Sequence, residues 1–167
     1  KDMAEEFNTD GMLDMYLFEN EQLLEQLQEM VLDQRDADCF DEDSINEIFR
    51  TMHTIKGSSG IMMFDNITAI SHKLEDVFYF LRESHPENVP HVELVAHVLD
   101  VADFITNEMD KIREGDPADG DASEMIAELD KFLETLKNGA KEEGVEPPPE
   151  NKHEEPKQFY IAPVATS

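Results

Sequence analysis

The chain is poor in the features that mark secreted, membrane-spanning or nucleic-acid-binding proteins. Its single cysteine, Cys39, has no partner for an internal disulfide and lies in a polar stretch, which fits a reducing, cytoplasmic compartment. No run approaches about 18 consecutive apolar residues, and the first residues lack a basic-then-apolar signal pattern, so no segment reads as a span or a leader. Basic residues are scarce: 13 Lys and Arg stand against 40 Asp and Glu, for a formal net charge of -27. Nucleic acid and anionic membrane surfaces are thereby poor partners, and a basic protein surface is a better one. The plain alternative is that the acid excess only keeps the protein soluble. There is no Walker-type loop, glycine-rich nucleotide lid or cluster of magnesium-binding residues, so no cofactor is expected in this segment. Sustained strand alternation is also missing, which leaves helices.

What is present is a 167-residue chain, 40% apolar, suited to one domain with tails. Leu13, Tyr16, Leu17, Leu24, Leu27 and Val31 recur at helical spacing from about Asp10 to Leu32, after a polar N-terminus, residues 1–9, expected to be disordered. An acidic stretch, 33–43, breaks the pattern, and Ser44-Ile45-Asn46-Glu47 matches a capping box for a second helix. Its stripe is Ile45, Ile48, Phe49, Met52, Ile55, Ser59 and Met62 or Met63. Asp65 or Asn66 can cap a third helix carrying Ile67, Ile70, Leu74, Val77, Phe78 and Leu81, and the short connection makes helices two and three antiparallel neighbours. Asn88 and Pro90 open a fourth helix with Val95, Val98, Leu99, Ala102, Ile105, Met109 and Ile112, closed by Gly115. Asp121 to Glu124 offers a start for a fifth with Ile126, Leu129, Phe132, Leu133 and Leu136, closed by Asn138-Gly139. The expected fold is therefore all-α, an antiparallel up-down four-helix bundle over residues 10–138 with an additional C-terminal fifth helix. Residues 139–167 read as an acidic, proline-containing linker, in which Pro147-Pro148-Pro149 favours polyproline II. Its apolar end, residues 158–164, fits the edge of a further domain, a docking segment or vector-derived residues equally well.

One stretch inside the second helix departs from packing logic. His53-Thr54-Ile55-Lys56-Gly57-Ser58-Ser59-Gly60 places two glycines in a helix interior, where each costs roughly 1 kcal/mol relative to alanine. His53 falls roughly 120° off the apolar stripe and should reach solvent, with small residues clearing space beside it. On the third helix, His72, Glu75 and Tyr79 share a face, and Glu75 is offset from its stripe in the same rotational sense as His53. Across an antiparallel pair, equal offsets of one sign put His53 and Glu75 either both in the shared groove or both outside it, and the groove is the expectation. A neutral imidazole is a competent nucleophile when one ring nitrogen holds the proton and the other presents its lone pair. Glu75 accepting from Nδ1–H would leave Nε2 free to attack phosphorus, and Lys56, one turn on, is placed to neutralise phosphoryl oxygens. The segment would then be a phosphate acceptor and donor. His72 is a candidate for tuning or relaying protons in that network, the alternative being a simply solvated side chain. His85, His91, His97 and His153 read as ordinary surface histidines, and the nine methionines as core filler. A metal site is the rival reading. No Glu-x-x-His pair lies on a predicted helix, and neither acidic loop has the glycine of a calcium loop.

The segment Ile48-Phe49-Arg50-Thr51-Met52-His53-Thr54-Ile55-Lys56-Gly57-Ser58-Ser59-Gly60 closely resembles the phosphorylation helix of histidine-containing phosphotransfer (HPt) domains. Within that family the likeness is to the N-terminal (P1) domain of chemotaxis histidine kinases of the CheA type. His72-Lys73-Leu74-Glu75 resembles the family's second motif at the expected distance, and the likeness covers approximately residues 8–138. The resemblance implies that His53 accepts the γ-phosphoryl group of ATP from the kinase's separate catalytic domain, usually in the other subunit of a dimer. That domain would bind ATP and magnesium. His53 would then pass the group to an aspartate of a response regulator of the CheY or CheB type, with receptor arrays as indirect partners. By position Glu75 matches the family's hydrogen-bonding carboxylate, Lys56 its lysine and His72 its second network histidine. Ile61-Met62-Met63-Phe64 departs from the small, glycine-containing turn often found there, which leaves the end of the second helix open. A stand-alone relay protein of a multistep phosphorelay and a non-catalytic helical adaptor are the alternative readings.

Overall fold

The computed structural model describes the backbone of residues 3–151 and the side chains from Gly11 onward. The expectations for residues 158–164 and for His153 fall outside the described residues. Five helices follow in order: α1 (Met3–Asp33), α2 (Glu42–Ile61), α3 (Asp65–Ser84), α4 (His91–Arg113) and α5 (Ser123–Glu142). No strand occurs among the described residues. α2 and α3 form the most intimate pair, α1 packs on α2 and α4, and α3 packs on α4, which closes a four-helix ring. α5 lies against α3 outside that ring, as the extra helix.

The periodic stripes became the core. Ile48, Met52 and Ile55 of α2, Ile67, Ile70, Leu74, Val77 and Phe78 of α3, and Val98, Ala102, Ile105 and Met109 of α4 are fully excluded from solvent. Each such large side chain contributes roughly 1.5–3 kcal/mol by leaving water. α1 adds Tyr16, Leu17, Leu24, Leu27 and Val31, and α5 adds Leu129, Phe132, Leu133 and Leu136.

The helix ends differ from the sequence reading, and each difference has a local cause. α1 begins at Met3 rather than near Asp10, because Met-Ala-Glu-Glu are good helix formers and no breaker precedes Gly11. α2 is capped by Asp41, whose carboxylate accepts the Ser44 amide at 2.7 Å. Ser44 therefore sits in the first turn instead of capping it, and its hydroxyl takes a hydrogen bond from Gln34 at 2.5 Å. α3 starts after Phe64 without a side-chain cap. Asn66 is used elsewhere, its amide reaching Glu108 Oε1 and the Gly120 carbonyl, both at 2.8 Å. Pro90 stands at the N-cap of α4, so the helix opens at His91 and Asn88 remains in the loop. α5 runs to Glu142, past Asn138-Gly139, and it is Gly144 at φ 81° that stops it. The Val145 amide then returns to the Ala140 carbonyl at 2.9 Å.

The start of the expected linker is consequently part of the packed domain. Val145 lies against the core, and Asn151 donates to Asp76 Oδ1 of α3 at 3.1 Å. The open question at the end of α2 is also settled. Met63 adopts φ 66°, its amide bonds to Gly60 O at 3.1 Å, and the Phe64 amide bonds to Ser59 O at 2.9 Å. A methionine takes the left-handed position usually filled by glycine, at a cost of roughly 1–2 kcal/mol. Phe64 offsets that cost by packing on the Tyr16 ring, 5.3 Å between centroids.

Candidate functional site

The site is built where α2 faces α3. Ile48, Met52 and Ile55 on one helix and Ile67, Ile70, Leu74 and Phe78 on the other fix the pairing, and the residues just off those stripes meet at its edge. His53 Nδ1 is hydrogen-bonded to Glu75 Oε2 across the groove. The Glu75 side chain is 1% exposed while that of His53 is 34% exposed, so a buried carboxylate holds a ring whose far edge is open. An ionised carboxylate can only accept, so with Glu75 ionised Nδ1 donates this bond, and in the neutral ring the lone pair is then on Nε2.

Lys56 completes the arrangement in a different role from the one expected. Its Nζ donates to Glu75 Oε1 at 3.0 Å, and its side chain is only 6% exposed. The ammonium neutralises the buried carboxylate that orients His53 instead of reaching out to a phosphoryl group. An aliphatic stem running along the apolar groove suits lysine at this position.

His72 occupies a neighbouring place on α3. Its Nε2 lies 3.5 Å from Asp76 Oδ2, and Lys73 bridges to Asp130 of α5 at 2.6 Å. Both residues line a cavity of about 720 Å³ between α3, α5 and residues 145–151. The structure thus brings His53, Glu75 and Lys56 into one bonded set and joins His72 to the adjacent Asp76.

The run of small residues after Lys56 serves packing as well as access. Ser59 is fully buried and its hydroxyl lies 2.6 Å from the Tyr16 hydroxyl of α1. Burial pushes the Tyr16 phenol up to about 12, against the lowering effect of the Ser59 bond. Ser58 donates to Asn20 Oδ1 of α1 at 3.2 Å, and the Asn20 amide returns to the Tyr16 carbonyl at 2.7 Å. Larger residues at these positions would push α1 off α2.

Two neighbours of His53 do more than the apolar stripes imply. Phe49, one turn before His53, stacks near-parallel to its ring, 6.1 Å between centroids at 14°. Arg82 of α3 places its guanidinium 4.2 Å over Phe49 and 5.6 Å from the Tyr79 ring. The available signal was spacing: Phe49 is four residues before His53, and Arg82 is seven after Glu75. Of the remaining histidines, His91 is not a surface residue. It is buried, with Nε2 2.7 Å from the Gln34 carbonyl and its ring edge-on to Phe40 at 4.7 Å. His97 packs edge-on to Phe132 at 4.9 Å, and His85 is exposed at the C-cap of α3. Among the described residues no group of three or more His, Cys, Asp or Glu is arranged to hold a metal, and no helix is long and apolar enough to cross a membrane.

A half-buried imidazole fixed by a buried carboxylate on antiparallel helices fits a phosphotransfer bundle, and residues 11–115 match the model of the Hpt domain family. The chain belongs to that family. It is similar to the chemotaxis protein CheA of Borreliella burgdorferi, 31% identical over 130 residues that cover 77% of this chain and 14% of that protein. It is also similar to CheA of Listeria monocytogenes serovar 1/2a, 27% identical over 129 residues, 75% of this chain and 20% of the relative. The chain thus spans about a fifth or less of the length of these relatives. Among solved structures, the phosphorylated P1 domain of CheA3 in complex with CheY6 from R. sphaeroides shares the fold. The TM-score is 0.62 at 18% identity, over 77% of this chain and 98% of that one.

Proposed function

We propose that this chain is the phosphotransfer domain of a cytoplasmic chemotaxis-type histidine kinase, with His53 as the residue that carries the phosphoryl group. The observation that carries the reading is the His53 to Glu75 hydrogen bond, which presents Nε2 outward from a buried, Lys56-neutralised carboxylate. The CheA relatives and the regulator-bound P1 structure support it.

In the uptake step, Nε2 attacks the γ-phosphorus of ATP held with magnesium by a separate kinase domain, in the partner subunit of a dimer. The nitrogen–phosphorus bond forms as the bond to the bridging oxygen breaks, and that oxygen departs with ADP. Positive charge developing on the ring is stabilised through Nδ1–H by Glu75. In the transfer step, an aspartate oxygen of a response regulator attacks phosphorus, and the electron pair of the nitrogen–phosphorus bond returns to Nε2. Phosphoryl transfer depends mainly on positioning and charge stabilisation, so a fixed nucleophile is a sufficient contribution from this half of the reaction.

The test is incubation of the chain with a CheA-type kinase domain, ATP and magnesium. Wild type should acquire an acid-labile, base-stable phosphate that His53→Gln lacks and that a CheY-type regulator removes. Equal labelling of the two proteins would refute the assignment.

A further inference from the structure

The dyad explains what fixes one edge of the His53 ring. A ring held by one hydrogen bond can still swing about that bond, which would carry Nε2 off the line of attack. A second constraint is present on its flat side. Phe49 stacks near-parallel to the imidazole at 14°, and Phe49 in turn carries the Arg82 guanidinium over its face at 4.2 Å. Tyr79 closes the cluster, its ring 6.2 Å from Phe49 and 5.6 Å from Arg82. Arg82 is itself tethered, its Nε donating to Glu83 at 2.9 Å.

We infer that Phe49 and Arg82 are positioning residues for phosphoryl transfer at His53, Phe49 setting the plane of the imidazole and Arg82 holding Phe49 in place. The inference rests on His53 being the phosphorylated residue. Two physical arguments carry it. A guanidinium over an aromatic face is attracted by the ring quadrupole, and its planar shape stacks where an ammonium does not. The ring contact also keeps the cation within about one Debye length, ~10 Å, of the imidazole. Phosphorylation adds about -1.5 to -2 charges at neutral pH to a chain whose formal charge is already -27. Lys56 answers Glu75 in the buried groove, and Arg82 is a further cation that the fold has brought to this edge of α3.

The experiment uses the same kinase-domain assay with Phe49→Leu, Arg82→Gln and Arg82→Lys, each checked for an unchanged far-UV spectrum. The expected result is a three- to tenfold fall in kcat for phosphate uptake by Phe49→Leu and Arg82→Gln, with KM for the kinase domain unchanged. Arg82→Lys should recover less than half of the loss, because it restores the charge without the planar stack. The His53 ring proton resonances should move in Phe49→Leu and Arg82→Gln, where loss of an unrelated surface charge would leave them fixed. Wild-type kcat in both variants, or a loss confined to KM, would overturn the inference in favour of a docking or purely packing role. Failure of the wild type itself to take up phosphate would instead strike the parent reading.

Discussion

Consider Glu75→Ala beside Glu75→Gln. The carboxylate is buried between His53 Nδ1 and Lys56 Nζ, the latter at 3.0 Å with its side chain 6% exposed. Alanine removes the carboxylate against which that ammonium is buried. Breaking one side of a buried ion pair costs about 3–5 kcal/mol, because the remaining charge has lost its compensation. That is a large share of the ~5–15 kcal/mol that holds a domain together, and it corresponds to a melting temperature lower by on the order of 10–15 °C. Glutamine keeps the volume and can accept from one donor through its amide oxygen, so its cost should stay near ~1–3 kcal/mol. The two variants should converge in chemistry. Both lose the charge that orients Nδ1–H and answers the developing imidazolium, and phosphate uptake should fall by about 10²-fold in each. Adding Lys56→Met to Glu75→Ala replaces the pair with apolar surface and should recover most of the stability and none of the rate. The assays are thermal unfolding by circular dichroism and the rate of acid-labile phosphate incorporation. A Glu75→Ala protein melting with wild type, or a Glu75→Gln protein phosphorylated at the wild-type rate, would refute the reasoning at the ion pair or at the dyad respectively.

Two further outcomes concern the node that ties α3, α4 and the α4–α5 connection together. In Gly120→Ala the new Cβ would lie 2.5 Å from Glu108 Oε2, on a carboxylate pinned by Asn66, the Gly120 amide and Lys111, each at 2.8 Å. Overpacking of this kind should cost about 1–3 kcal/mol, read as a lower urea midpoint with an unchanged slope; an unaltered midpoint would show that the carboxylate yields freely. Burial of Glu108 opposes its ionisation, but the bonds from Lys111, Gly120 and Asn66 outweigh it and hold the carboxyl below the ordinary glutamate value. A folded value below the unfolded one, which is about 4.3, gives stability that is present above that pH and lost as pH falls through the folded value. Urea midpoints measured from about pH 5 to about pH 3 should therefore fall less steeply in Glu108→Gln than in wild type; parallel curves would sink the claim.

The bundle was legible because burial imposes a period on the sequence, and Leu74, Ile55 or Ile105 declare their face wherever the chain is helical. The His53 and Glu75 pair was partly legible for the same reason: equal offsets on antiparallel stripes put the two residues together in the groove or both outside it, and only the packing of α2 on α3 decides for the groove. The caps were less so, because Asp41 and Ser44 are both good cap residues three positions apart and only the path of 34–41 decides between them. Lys56 was read as pointing at a ligand because its partner is distant in sequence and lysine is usually exposed. Nothing local announces the left-handed Met63, which the Phe64 and Tyr16 contact stabilises from another helix. Asn66 resembles a helix cap in isolation and becomes a bridge only when Glu108 and Gly120 arrive beside it.

Contacts between helices also bear on how the site works. Several of the groups that refine His53 act across a helix boundary. Glu75 and Arg82 come from α3, while Tyr16 and Asn20 of α1 hold Ser59 and Ser58 on the turn that follows Lys56. The nucleophile's geometry is therefore set by helix packing and not by a loop, which gives side-chain placement the precision of the core that supports it. On the proposed phosphotransfer function, a partner bringing ATP and a partner bringing an aspartate must both approach the same ring, and neither can be relied on to reshape it. A rigid bundle meets that requirement by presenting one fixed Nε2 to two different active sites in turn, and weakening the packing of α1 on α2 should slow both transfers together even though α1 contributes no reacting group.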